Sequence, residues 1–200
     1  MTSQTQTPTK TVEKSVHKIV AGMFQTIAVC ETNIEQLRVS LASCPNFVPK
    51  ALFTHLADSS SNKISAHTIR AYLDKGSKPG QSTSMEVCEE IVSEFDNDLI
   101  GLLAYKEFKN MVLPAANEKM RTYLLDQQKS RAKQYPPLSD NCFNLFSQLI
   151  AQERFLAAMK IKTRYELLVR KDYNAMALFR ELANGKTSVT MQDLTVFCER

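Results

Sequence analysis

The residues best placed to do chemistry lie between Asp96 and Glu107, where Asp96, Asp98 and Glu107 space three carboxylates as a hard cation requires. A calcium loop draws oxygens from positions 1, 3, 5, 7, 9 and 12, turns sharply at 6 and keeps an apolar residue at 8. Counting Asp96 as the first puts Asp98 at 3, Ile100 at 5, Gly101 at 6, Leu102 at 7, Leu103 at 8, Ala104 at 9 and Glu107 at 12. Leu102 would give its main-chain carbonyl, and Gly101 the positive φ of the turn. Ile100 and Ala104 have no side-chain oxygen, so water would have to complete the roughly six to eight ligands calcium takes. The expectation is a weak candidate calcium site at Asp96, Asp98, Leu102 and Glu107. The alternative is a loop that keeps its shape without metal. No other cofactor is expected.

Two further polar turns carry an isolated apolar residue in the same way. With Ile64 at position 8, Ala57, Ser59, Ser61 and Thr68 fall at 1, 3, 5 and 12, so no carboxylate stands at a ligand position. Asn62 can still take the left-handed conformation, and Asp58 is one place out of register. The last turn, Ala183 to Asp193, is one residue short, with Val189 as its apolar residue and Asp193 at its end. Neither is expected to bind calcium. Ser65 and Thr190 are expected to cap the helices that follow.

Other chemistry is thin. His17, His55 and His67 have no ligand-like spacing with one another or with cysteine. No phosphate-binding glycine loop, nucleophile elbow or zinc motif is present, and catalysis is not expected. The five cysteines form no CxxC pair, and no signal peptide precedes them, which points to a reducing, cytoplasmic setting. Cys30 and Cys88 fall at apolar helical positions and read as core. The net charge of +4 is too small to imply nucleic acid. The basic cluster Lys129, Arg131 and Lys133 reads as a solvated helix face, or more sharply as a surface for an acidic partner. No stretch is long and apolar enough to suggest a membrane span.

The elements that would position these turns are helices. Apolar residues at Val16, Ile19, Val20, Met23, Ile27, Cys30, Ile34, Leu37 and Leu41 form a heptad-like seam along a first long helix. At roughly 30 residues it would span about 45 Å. Part of that seam packs on its own domain or meets a partner helix. Pro45-Asn46 breaks it, and helices around Phe53, Ile69, Ile91 and Phe108 follow. Thr83-Ser84-Met85-Glu86 reads as a capping box, and Gly76 to Ser82 as a linker. A polar helix over about 116–134 leads to Tyr135-Pro136-Pro137, a module boundary. Ser139 can cap a second long helix.

A repeat organises the chain. Phe47 to Ala57 aligns without a gap on Tyr173 to Ala183, 126 residues later, and Lys63-Ile64-Ser65 aligns on Ser188-Val189-Thr190 after one deletion. A long helix precedes each copy. The fold class is therefore all-α. Residues 1–12 form a disordered lead-in, 13–114 a long helix with a pair of helix-loop-helix units, 115–138 a helical linker, and 139–200 a second long helix with one unpaired unit.

These residues resemble the calmodulin superfamily of EF-hand proteins, through Asp96 to Phe108 and the repeated Phe-x-x-Leu-loop-Ile/Val pattern. The order of long helix (Glu31, Asn33, Ile34, Glu35, Leu37), Pro45-Asn46-Phe47 and a unit pair ending at Val112-Leu113-Pro114 is similar to the multi-EF-hand ciliary and axonemal repeat proteins. That resemblance implies an EF-hand pair over the first half and a partial EF-hand module at the end. It further implies a structural protein of the cytoskeleton, bound to doublet microtubules of the cilium axoneme and not requiring calcium. Tubulin or other axonemal proteins would be its partners. EF-hands pair, so a fourth hand is lacking after the third. A partner helix or EF-hand is expected at residues 173–200, unless the chain is a piece of a longer one. Two alternatives stand: a calcium-sensing regulatory protein acting through Asp96 to Glu107, and a regulatory subunit of an enzyme.

Overall fold

The computed structural model describes residues 14–75, 82–130 and 137–200. The lead-in at 1–12, most of the linker at 76–82, the boundary at Tyr135-Pro136 and the cluster at 129–133 lie outside the described residues or their side chains. The described residues are mostly helical, with nine helices and almost no strand, as expected of an all-α chain. No helix among them is long and apolar enough to cross a membrane.

The first long helix, α1 (Lys14–Ala42), buries Val16, Val20, Cys30, Ile34 and Leu41. Along the expected seam Ile19, Met23, Ile27 and Leu37 are only half-buried, while Arg38, outside the apolar pattern, is buried. Asn46, at φ 64°, turns the chain after α1. Pro49 then opens α2 (Pro49–Leu56), where its missing N–H costs nothing. Next come β1 (Ile64–Ser65), α3 (Ala66–Asp74), α4 (Met85–Phe95), β2 (Leu102–Leu103), α5 (Tyr105–Val112) and α6 (Glu118–Ser130). The second long helix, α7 (Asp140–Leu168), is capped by Ser139, whose Oγ accepts from the Cys142 amide at 3.3 Å. Finally α8 (Ala175–Leu182) and α9 (Met191–Cys198) flank the third turn.

The capping box expected at Thr83 is replaced by a single cap one residue on, because Val87, three residues after Ser84, has no polar side chain to return the bond. Ser84 is the N-cap of α4, and its side chain accepts from the Val87 amide. Thr83 instead donates its amide to Asp74 at 3.0 Å, holding the end of α3 to the start of α4. Two adjacent hydroxyl residues compete for the cap, and the Asp74 carboxylate decides between them.

The chain forms two compact units. One is Cys30–Ala158; the other joins the described residues up to Val29 with Met159–Arg200. The residues of α1 and α7 are divided between them.

In the unit Cys30–Ala158, two helix-loop-helix segments, α2–β1–α3 and α4–β2–α5, meet through a two-residue antiparallel ladder. Ile64 stands opposite Leu103 and Ser65 opposite Leu102. The isolated apolar residues of the two turns therefore face each other across the ladder. Behind the ladder Phe53, Phe108 and Phe146 stack in series, with ring centroids 5.6 and 6.3 Å apart. Each ring is fully buried, which contributes roughly 1.5–3 kcal/mol apiece. Arg38 donates Nε to the Met111 carbonyl at 2.9 Å and Nη2 to Glu153 at 3.3 Å, so α1 grips both the end of α5 and α7. Both partners are nearly sealed from water.

The other unit packs α8 and α9 against the first half of α1 and the second half of α7. Its core is Val16, Val20, Ala21, Leu167, Leu178 and Phe197. Phe197 lies between His17, at 4.1 Å, and Phe24, at 6.5 Å. Arg170, Asp172 and Ser15 tie the α7–α8 connection to the start of α1.

Candidate functional site

The turn between α4 and α5 gathers the three expected carboxylates. Asp96 is the C-cap of α4, Asp98 is exposed in the turn, and Glu107 is the third residue of α5. One ligand oxygen from each lies within 4.8 Å of the others. Leu102 is in β2, opposite Ser65. Gly101 has φ 76°, the left-handed value expected of it, and Leu99 shares the region at φ 57°.

Most of the carboxylate oxygens here are engaged by the turn's own backbone. Asp96 accepts from the Ile100 amide at 3.3 Å and the Gly101 amide at 2.6 Å. Glu107 accepts from the Asn97 amide at 2.9 Å with one oxygen and from the Ala104 amide at 2.9 Å with the other. Burial pushes the Asp96 carboxyl up, but donation from Gly101, Asp98 and Ile100 outweighs it and leaves the group below the ordinary carboxylate value. The shared hydrogen bond to Asp96, followed by burial and the nearby Glu107 charge, raises Asp98. The two carboxyls are a like-charge pair in which Asp98 is the one that takes a proton first.

As a calcium site the set is incomplete. Three carboxylates fit a hard cation, but Ile100 and Ala104 stand where oxygens are needed. A cation here would rely on water and on displacing amide donors.

The first turn uses Asp58 in another way. Its Oδ1 accepts from the Ser60 amide at 2.9 Å, the Ser61 amide at 3.0 Å and the Ser60 hydroxyl. The shift of one place that removes Asp58 from a ligand position lets it brace the turn. Asn62 takes φ 51°. Ser65 and Thr68 form a reciprocal capping box at the start of α3.

The third turn contains an ion pair that sequence reasoning missed. Lys186 Nζ lies 2.8 Å from Asp193 Oδ1. Asp193 Oδ2 accepts from the Thr190 amide at 2.9 Å and the Thr190 hydroxyl at 2.6 Å. Asp193 is buried while Lys186 reaches in from solvent. The Lys186 ammonium, then the Thr190 donors, hold the Asp193 carboxyl down at about 2. The available signal was a lone lysine in a turn whose one acid stands at its end.

The three turns therefore share a rule. The residue at the closing position accepts from the amide that caps the next helix: Thr68 from Ser65, Glu107 from Ala104 and Asp193 from Thr190. Compared with protein-family models, curated proteins and solved structures, the chain gives no match.

Proposed function

We propose that this chain is a non-catalytic EF-hand scaffold that keeps the shape of calcium loops without needing the ion. The observation that carries this reading is the closing position of each turn. In the first turn it is a threonine. In the second its two oxygens are bound by amides. In the third the cation is a lysine of the chain itself. The two-residue ladder of Ile64 with Leu103 is of the kind that joins paired EF-hands, which supports assigning the fold to that family. The role that follows is structural: presenting helix faces to protein partners. The resemblance to axonemal repeat proteins extends the proposal to the cilium, with tubulin or another axonemal protein as partner. Localisation of the tagged chain in ciliated cells tests that extension, and a diffuse cytosolic signal overturns it.

The convergence of Asp96, Asp98 and Glu107 favours calcium sensing as the second reading. Titration calorimetry separates the two. The scaffold reading expects no heat from millimolar calcium and the same thermal midpoint with calcium or chelator. Heat that disappears in Glu107→Gln would establish the sensor instead.

A further inference from the structure

The two long helices match residue for residue. α1 (Lys14–Ala42) and α7 (Asp140–Leu168) each have 29 residues and stand at the 126-residue offset of the repeat. In each unit a residue just past one long helix is tied to the first turn of the other. In the unit that contains Met159–Arg200, Arg170 Nη2 donates to Ser15 Oγ at 2.6 Å. At the same offset Arg170 corresponds to Cys44, and Ser15 to Asn141. In the unit Cys30–Ala158, Asn141 Nδ2 donates to Cys44 Sγ at 3.2 Å. The tie keeps its place in the repeat and exchanges a guanidinium for a sulfur.

A second sulfur meets the first at this tie. Cys142 follows Asn141 as the third residue of α7, and its thiol is a hydrogen-bond partner of the Cys44 thiol. The Ser139 hydroxyl donates to Cys142 Sγ at 3.3 Å and also hydrogen-bonds Cys44. Backbone bonds fix both anchor points. The Cys44 amide donates to the Leu41 carbonyl at 3.1 Å, and the Phe47 amide to the Cys44 carbonyl at 3.1 Å. The Cys142 amide donates to Ser139 Oγ at 3.3 Å. Hydrogen-bonded sulfurs need close by only about 1–2 Å to reach the ~2.05 Å of a disulfide.

Both residues are buried, Cys142 at 1% and Cys44 at 7% exposure, so a small oxidant approaches from the side of Cys44. Burial, then the Cys142 hydrogen bond, holds the Cys44 thiol above its ordinary value, while Asn141 and Ser139 draw it back. Such a pair rests as a dithiol in a reducing compartment and oxidises slowly.

We infer that Cys44 and Cys142 are a redox-modification site, at which a peroxide-class oxidant joins the two thiols in a disulfide that locks the end of α1 to the start of α7. One thiol is oxidised to a sulfenic acid as the peroxide is reduced to water. The other sulfur then attacks it, the S–S bond forms and a second water leaves. One peroxide thus takes two hydrogens from two thiols and ends as two waters. A thiol reductant of the glutathione class restores the pair by exchange. The bond closes the loop from residue 44 to residue 142, which carries both helix-loop-helix segments of the unit. A cross-link over so long a loop constrains the unfolded chain strongly. It acts on the same pair of helices that Arg38 and Glu153 hold by charge. The bond needs neither calcium nor the scaffold role.

The test uses the full chain, first reduced, then treated while folded with hydrogen peroxide. Remaining thiols are alkylated in denaturant, and peptide mapping by mass reads which cysteines escaped. The expected result is a linked peptide pair joining Cys44 to Cys142 within one chain, released by dithiothreitol. The thermal midpoint should rise by roughly 5–10 °C on oxidation and fall back on reduction. Cys142→Ser should abolish both the linked pair and the shift, whereas Cys198→Ser, in the other unit, should keep both. Alkylation of both Cys44 and Cys142 after peroxide overturns the proposal. So does sulfinic acid on either residue without a linked pair. A bond from Cys44 or Cys142 to any other cysteine, in the same chain or in a second copy, overturns it as well. The mapping is made on the unaltered chain, so its outcome stands even if Cys142→Ser folds poorly.

Discussion

The turn closing at Glu107 and the turn closing at Asp193 solve one problem with different chemistry. Each must hold a buried carboxylate at the start of a helix, where an unpaired charge would be costly. Glu107 spends both oxygens on amides, one of them the Asn97 amide from the far side of the turn. Asp193 has a shorter side chain in a turn one residue shorter, and gives its second oxygen to Lys186. The central turn is thus closed by backbone amides that donate to the Glu107 carboxylate, and the third by a flexible ammonium from the surface. The central turn retains a cluster of carboxylates with no cation supplied by its own residues. The third turn has its charge balanced by an ion pair with a lysine of its own. A turn can lose its need for metal either by recruiting amides or by importing a cation, and this chain uses both routes.

The largest test of that contrast is Glu107→Ala. It strips two part-buried amides of their acceptor at once, and the expected loss is about 2–4 kcal/mol in denaturant unfolding. A loss under about 1 kcal/mol would mean that the amides find water and that the backbone closure is not the stabilising element. Lys186→Met is the corresponding change in the third turn. It leaves the Asp193 carboxylate with its Thr190 donors but without a cation, and should lower the thermal midpoint by roughly 2–4 °C, less than Glu107→Ala.

Acid titration sharpens the same comparison. The folded-state pKa of Asp193, about 2, lies below its ordinary value. Its contribution is therefore present above the unfolded carboxyl pKa of about 4 and is lost as pH falls toward 2. Unfolding followed at Phe197, beside the third turn, should steepen across that window, and Lys186→Met should move the loss to higher pH. Asp98 has the opposite sign. Its raised pKa means that its protonated form suits the folded state, so its contribution fades as pH rises through that value. Asp98→Asn should flatten that dependence in the central turn alone. Identical acid limbs for wild type and Lys186→Met would remove the lysine from the account.

Local patterns were readable in the sequence because they depend on residues a few positions apart. The turn at Gly101, the caps at Ser65, Thr190 and Ser139 and the buried Cys30 and Cys88 all follow from short spacings. Three features were not readable in this way. Arg38 looks like a charged residue beside an apolar seam, but Glu153 and the Met111 carbonyl, far away in sequence, give it reason to be buried. Lys186 looks like a solvated lysine until the shortened turn brings Asp193 within reach. The third helix-loop-helix gave no local sign that the first half of α1 supplies Val16, Val20 and Phe24 to its core. Each depends on where a distant segment packs, which no local period encodes.

The smallest expected effect concerns the left-handed residues of the two turns. The third turn uses Asn184 at φ 48° and Gly185 at φ 80°, residue types that tolerate this region. The central turn uses Gly101 at φ 76° and Leu99 at φ 57°. Leu99 has a Cβ that crowds the following carbonyl, at a cost of roughly 1–2 kcal/mol for an ordinary residue. It is also 85% exposed, so burial does not offset that strain. Leu99→Asn should therefore stabilise the chain, by about 0.5–1 kcal/mol, since asparagine relieves the crowding without the unfolded-state entropy of glycine. The matching change in the third turn, Asn184→Leu, should destabilise by a similar amount. If Leu99→Asn were neutral or harmful, the exposed leucine would have to be held by something outside the turn, and the difference between the two turns would then extend beyond how they satisfy their carboxylates.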